Sequence, residues 1–161
     1  MEKFMDRIYT YQDLKHIQTF IYSLKRQAKS LGIKLVLSSS KKYVSMGKDD
    51  VESSGYFDAK SNEQKGILGV GTKRPINEWL PVLVHESCHM DQWNEGLLLW
   101  KKSENMKYNM FDDWLINKRC NKKDVYCCID ILRDIEIDCE KRAVDKIIKY
   151  HSFFLSRHYR S

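Results

Sequence analysis

Apolar residues recur at helical spacing early in the chain. Leu14, Ile17, Ile21, Leu24, Ala28 and Leu31 mark one face of "TYQDLKHIQTFIYSLKRQAKSLG", which predicts an amphipathic helix. Thr10 is placed to cap its start and Gly32 to end it. The pattern then shortens to "IKLVLSSS" and "KKYVSMG", runs of β-branched and aromatic residues that suit strands. "SGYFDAKSNEQKGILGVGT" reads as a hairpin, "GYFDA" and "KGILGVG" joined by a turn around Ser61–Gln64. Its glycines at 66, 69 and 71 fit a bulge or a strand that another segment approaches closely.

Pro75 closes that region and helical spacing returns in "NEWLPVLVHESCHMDQWNEG". Asn77 is a candidate cap, Pro81 is expected in the first turn, and Gly96 suits the stop. "LLLWKKSENMKYNMFDDWLINKRC" predicts one or two short helices with a loop near Ser103–Asn109. A long last helix is expected from about Lys122 to Tyr150. The order is helix, a small mixed sheet of three or four strands, then helices, an α+β fold in a single domain over residues 1–161.

Composition narrows the class. Hydrophobic residues at 42% and charged residues at 31% are ordinary for a globular protein long enough to bury a core. No apolar run approaches a bilayer span, and "MEKFMDRIYTY" lacks the apolar stretch of a signal peptide, so a cytoplasmic protein with no membrane partner is expected. The five cysteines (Cys88, Cys120, Cys127, Cys128 and Cys139) lack the spacing of a disulfide framework or a paired C-x-x-C metal site. Free thiols are expected, with Cys88 and Cys139 as small core residues.

Charge is segregated. Residues 81–140 carry 8 Lys/Arg against 12 Asp/Glu, whereas residues 141–161 carry 6 against 1. The basic ends suit a solvated surface, or contact with nucleic acid or an acidic partner. The acidic middle holds the candidate chemistry.

In "VLVHESCHMDQW", His85 and His89 lie four apart with Glu86 after the first. On a helix, i and i+4 share a face, so both imidazoles can hold one metal ion. Glu86, rotated by about a third of a turn, can reach a water on that ion without binding it. H-E-x-x-H arises by chance in about one such chain in a hundred, so the motif needs support from elsewhere. The apolar "WLPVLV" before it predicts a buried helix, in which two imidazoles and a carboxylate need partners.

A zinc site needs a third protein ligand. In "CCIDILRDIEIDCEKRAVDKII", Ile129, Leu132, Cys139, Ala143 and Ile147 form an apolar stripe with Glu136 in its middle and Glu140 toward its edge. Asp134 and Asp138 point to other faces. Glu136 is therefore the expected third metal ligand, and Glu140 the residue holding a histidine Nδ1–H. Two alternatives stay open: Glu136 as a core carboxylate paired with Arg133 or Arg142, and Glu140 as the ligand with Glu136 as its support. His16, His151 and His158 have no ligand spacing.

"HESCH" followed downstream by "EIDCE" resembles the zincin metallopeptidases, in particular the gluzincin branch, where a glutamate on a later helix completes H-E-x-x-H. The hairpin before the motif resembles that of compact bacterial and phage ImmA/IrrE-like members, which set a small sheet beside the active-site helix. The resemblance runs roughly from Ser54 to Ile148. It departs at Arg142, where an aromatic is common, and at Glu140, where Asp is common. It implies a minimal zincin-like fold, Zn²⁺ as cofactor, and hydrolysis of a specific peptide or protein substrate with Glu86 as the catalytic base. It also implies "KGILGVG" as the edge strand beside the cleft. Tyr56, Tyr108 and Tyr126 are all available to stabilise an oxyanion. The competing reading is a catalytically silent zincin-fold regulator that contacts nucleic acid or a partner protein through its basic ends.

Overall fold

The computed structural model describes residues 11–46, 51–59, 66–105, 114, 116 and 118–158, and the architecture is α+β. Helix α1 runs Tyr11–Ser30. Its buried face is Phe20, Leu24 and Ala28, and Leu14 at its start is exposed. Gly32, at φ 72°, ends the helix. There the amides of Gly32 and Ile33 turn back to the carbonyls of Lys29 and Ala28, at 3.2 and 2.8 Å. That double bond needs a left-handed residue, which glycine adopts without a Cβ clash. Thr10, the expected cap, lies outside the described residues.

Five strands follow: β1 (Lys34–Ser38), β2 (Val44–Met46), β3 (Val51–Ser53), β4 (Gly55–Asp58) and β5 (Ile67–Gly71). β2 and β3 form a separate two-stranded sheet, and the main sheet has the order β1-β5-β4. The expected hairpin pairs antiparallel with Tyr56 opposite Gly69, and its turn residues Ser61–Gln64 lie outside the described ones.

"KGILGVG" is not the edge strand. β5 takes β1 on its other side in parallel register, Lys34 opposite Ile67, so β1 and β4 are the edges and β4 is the one that lies against α2. The reason is visible in "ILGVG": a run buried from Leu68 to Gly71 suits a central strand covered on both faces.

Helix α2 spans Ile76–Asn94 with Pro75, not Asn77, at its N-cap position. The amides of Glu78 and Trp79 donate to the Pro75 carbonyl, while Asn77 is an exposed residue within the first turn. Pro81 falls in the second turn, on the exposed side. It lacks the N–H that would meet the Asn77 carbonyl. At the other end the Leu97 amide reaches the Gln92 carbonyl at 3.1 Å, and Gly96 sits at φ 62°. Helix α3 (Leu98–Asn105) continues three residues into the segment expected as a loop from Ser103, and residues 106–109 lie outside the described ones.

Helix α4 runs Lys122–His158, eight residues beyond the expected end. Asn121 caps it, its Oδ1 accepting from the Lys123 amide at 3.0 Å. Its buried stripe is Val125, Cys128, Ile135, Cys139 and Ala143. This stripe is turned relative to the expected one. Ile147 is exposed, and Ile135 rather than Glu136 points inward. Glu136 lies on the stripe's border with its side chain 56% exposed.

The core joins Leu24 and Ala28 of α1, Leu68 and Val70 of β5, Leu83 and Met90 of α2, and Cys139 of α4. Strand β4 lies close against α2. A Cβ on Gly55 would meet Val82 Cγ1 at 2.5 Å and Glu86 Cγ at 3.2 Å. Among the described residues no helix is long and apolar enough to cross a membrane.

Candidate metal centre

The helical repeat of α2 sets His85 and His89 one turn apart, ring edge toward ring face, with centroids 4.8 Å apart. Their Nε2 atoms are separated by 3.2 Å. Across from them α4 presents Glu136, whose Oε2 lies 3.4 Å from His85 Nε2 and whose Oε1 lies 3.4 Å from His89 Nε2. Bonds of about 2.0–2.1 Å at tetrahedral angles separate two zinc ligands by about 3.3 Å. The three donors therefore stand at the spacing of one small cation's ligands.

The protonation of the rings follows from their other nitrogens. Gln92 is fully buried. Its Nε2 donates to the Ile135 carbonyl at 2.9 Å and to Asp138 Oδ2 at 2.7 Å. Its Oε1 therefore faces His89 Nδ1, at 2.8 Å, and must accept from it. Glu140 Oε1 lies 3.1 Å from His85 Nδ1 and accepts from it in the same way. When neutral, both rings then carry their proton at Nδ1 and turn a lone pair at Nε2 toward the Glu136 carboxylate. In that form three acceptors converge, so protons at Nε2 or a cation must lie between them.

Without a metal, protons fill the gap. The hydrogen bond with Glu136 lifts the His85 pKa to about 9 against the cost of burial. For His89 burial is the largest influence and opposes protonation, but bonds with Glu136 and Gln92 outweigh it and the pKa rises. The hydrogen bonds from the two rings pull Glu136 down to about 2. A divalent cation satisfies the same acceptors with neutral imidazoles.

Glu86 is set beside this cluster, not in it. Burial raises its pKa, the two histidines pull it down, and the backbone N–H of Phe57 donates to its carboxylate. Strand β4 thus holds the candidate base from behind. The Trp100 ring, from α3, lies 5.9 Å from His89 and 5.9 Å from Phe57, walling one side.

A second donor set includes Cys139. His85, His89 and Cys139 offer ligand atoms within 4.8 Å of one another. The thiol donates to the His85 carbonyl at 3.3 Å and lies 3.7 Å from His85 Nδ1. That places it on the ring edge that Glu140 also engages, away from Nε2. Contact with Cys88, burial and nearby carboxylates push the thiol's pKa up, against the thiolate a metal requires. Glu136 is the better third donor. Cys139 is buried, as the sequence predicts, but it also braces His85.

Glu136 is paired with neither arginine. Arg133 binds Asp130 and Asp134, and Arg142 binds Asp138 and Glu95, at 2.6–3.1 Å. Asp138, expected on another face, reaches Gln92. Gln92, Asp138 and Trp100 were not among the predicted site residues. Gln92 alone carried a signal, being i+3 from His89 on the same helix face.

Of the tyrosines, Tyr56 pairs with Gly69 on the sheet face opposite Gly55 and Phe57, hence away from α2. Tyr126 is 65% exposed, and Tyr108 lies outside the described residues. Cys120, Cys127 and Cys128 form no disulfide among the described residues. His16 lies on α1, and the side chains of His151 and His158 are outside the described ones.

Neither a family model, nor a curated protein, nor a solved structure matches the chain.

Proposed function

We propose that the chain is a zinc-dependent peptidase acting on a protein substrate. The observation that carries this reading is the convergence of His85 Nε2, His89 Nε2 and the Glu136 carboxylate at 3.2–3.4 Å, three groups that offer lone pairs to one point whenever the imidazoles are neutral. Such a cluster is costly in a half-buried site unless protons on the rings or a cation occupy it, and a cation leaves both imidazoles neutral. The donor types, two imidazoles and one carboxylate, suit zinc and leave a fourth position open. When bound there, zinc supplies a Lewis acid that polarises a carbonyl and makes a neighbouring water more acidic.

The chain's own residues do the rest. Glu86, whose pKa burial has raised, accepts a proton from the attacking water and returns it to the leaving amine. The Phe57 amide keeps that carboxylate turned to the cleft. Glu140 and Gln92 hold the two rings with Nε2 facing inward. Phe57 and Trp100 exclude water from one side, which strengthens every charge interaction there.

The test is the zinc content of wild-type protein beside Glu136→Ala and Glu140→Ala. About one zinc per chain, lost with Glu136→Ala and largely retained with Glu140→Ala, supports the assignment. Loss with Glu140→Ala alone reverses the roles of the two glutamates. No zinc in wild type after addition of the metal rules out the peptidase reading.

A further inference from the structure

His85 and His89 are held by different chemistry. Glu140, with a side chain 67% exposed, holds the first through a carboxylate at the surface. A neutral amide buried between two helices holds the second. Gln92 has no exposed surface, yet its amide oxygen and both amide hydrogens have partners: His89 Nδ1, the Ile135 carbonyl and Asp138 Oδ2. Burying a glutamine costs more than burying an apolar residue of similar size unless every polar atom is satisfied. Packing alone would favour leucine or methionine at this position.

The orientation of the amide is also forced. The Ile135 carbonyl is a backbone acceptor within α4, so it can only receive a proton. A flipped amide would set its oxygen against both that carbonyl and the Asp138 carboxylate. The contacts continue outward, since Asp138 Oδ2 also accepts from Arg142 Nε at 2.6 Å and Arg142 Nη1 donates to Glu95 at 2.8 Å. A continuous chain of hydrogen bonds therefore runs from one imidazole to an ion pair at the surface, crossing from α2 to α4 and back.

We infer that Gln92 is the positioning residue for His89. Its amide, oriented by the Ile135 carbonyl and polarised by Asp138, keeps the ring protonated at Nδ1 and its Nε2 lone pair directed at the metal. The inference rests on the metal reading for its effect on zinc, but the tautomer it specifies can be read without metal. Asp138 acts through Gln92: its negative charge draws on the amide N–H, which makes Oε1 a stronger acceptor and His89 a better donor to the cation. Arg142 shares that charge and moderates it.

The experiment compares wild type, Gln92→Leu, Asp138→Asn, and the double variant Gln92→Glu with Asp138→Asn. The double variant keeps an acceptor on His89 Nδ1 and a donor from the amide at position 138, at the cost of setting its second carboxylate oxygen against the Ile135 carbonyl. Zinc affinity is measured by competition with a chromophoric chelator, and thermal melting of the metal-free forms serves as a control for folding. The His89 tautomer is read from ¹H–¹⁵N spectra of metal-free protein at alkaline pH, where the ring is neutral.

Gln92→Leu is expected to weaken zinc binding by about 10- to 100-fold and to give mixed His89 tautomers. Asp138→Asn should cause a smaller loss with the tautomer kept, because the Ile135 carbonyl still orients the amide. The double variant should restore the Nδ1–H form and part of the affinity. A Gln92→Leu protein with unchanged affinity and an intact Nδ1–H tautomer overturns the inference. If Gln92→Leu does not fold, the double variant decides, and an Nε2–H ring there overturns it. A wild type that binds no zinc sinks the metal reading, while the tautomer comparison still tests Gln92.

Discussion

At the residue scale, Glu86 and Gly55 depend on each other. Glu86 is one position from the proposed ligand His85 but lies beside the three converging groups, which suits its carboxylate to the proposed role of base. Glu86→Gln keeps the shape and the amide contact with Phe57 while removing the basic oxygen. Peptide hydrolysis should fall about 10²- to 10⁴-fold, with zinc content and melting temperature near wild type. Equal activity in the variant would remove the base role. Gly55 exists for contact, not for turning. A Cβ there meets Val82 and Glu86, so Gly55→Ala should cost about 1–3 kcal/mol by overpacking, measured by urea unfolding. It should also lower activity by shifting β4 and with it the Phe57 amide. A stable, fully active Gly55→Ala would show that strand and helix have room to separate.

At the scale of elements, α2 and α4 carry every candidate metal ligand, and their pairing is fastened by polar contacts on both sides of the site. Lys146 of α4 binds Asp91 at 2.6 Å and donates to Ser87 at 2.9 Å. Gln27 of α1 joins the same carboxylate at 2.7 Å. Helix α2 itself is locally imperfect. Pro81 in its second turn removes one backbone hydrogen bond, and a proline inside a helix costs about 3 kcal/mol relative to alanine. Pro81→Ala should therefore raise unfolding free energy by about 1–3 kcal/mol, seen as a higher urea midpoint with unchanged zinc content. A lower midpoint would mean that the proline ring packs where no alanine can substitute.

The helices were largely legible in the sequence because periodicity and end signals such as Gly32 and Gly96 act locally. The face of α4 was not. Its apolar residues, from Ile129 through Ile147 and Ile148, nearly encircle the helix, so periodicity cannot say which stripe α2 will cover. Packing chose Ile135 and turned Glu136 to the border, where it meets both imidazoles.

On the scale of the whole molecule, the site lies where an edge strand, a mid-chain helix and the last helix meet, separated by 46 residues between His89 and Glu136. A cation there links α2 to α4 and should stabilise the fold by mass action. With free zinc at a hundred times the dissociation constant, the gain is about 2.7 kcal/mol. Chelation should lower the melting temperature of wild type and leave that of Glu136→Ala unchanged, as followed by circular dichroism. Equal shifts in both proteins would mean that the chelator acts elsewhere.

The sequence by itself determined the local partners: two histidines on one helical face, a glutamate offset from them, and an acidic helix downstream able to supply a third donor. Those follow from helix geometry alone, which spacing encodes. Only the tertiary structure decided that β5 is central and β4 an edge, that Glu136 faces the rings instead of an arginine, and that Gln92 and Asp138 stand behind His89. These depend on which of several chemically equivalent neighbours comes within 3–4 Å across the chain, a distance set by the packing of whole elements that no spacing along one segment contains.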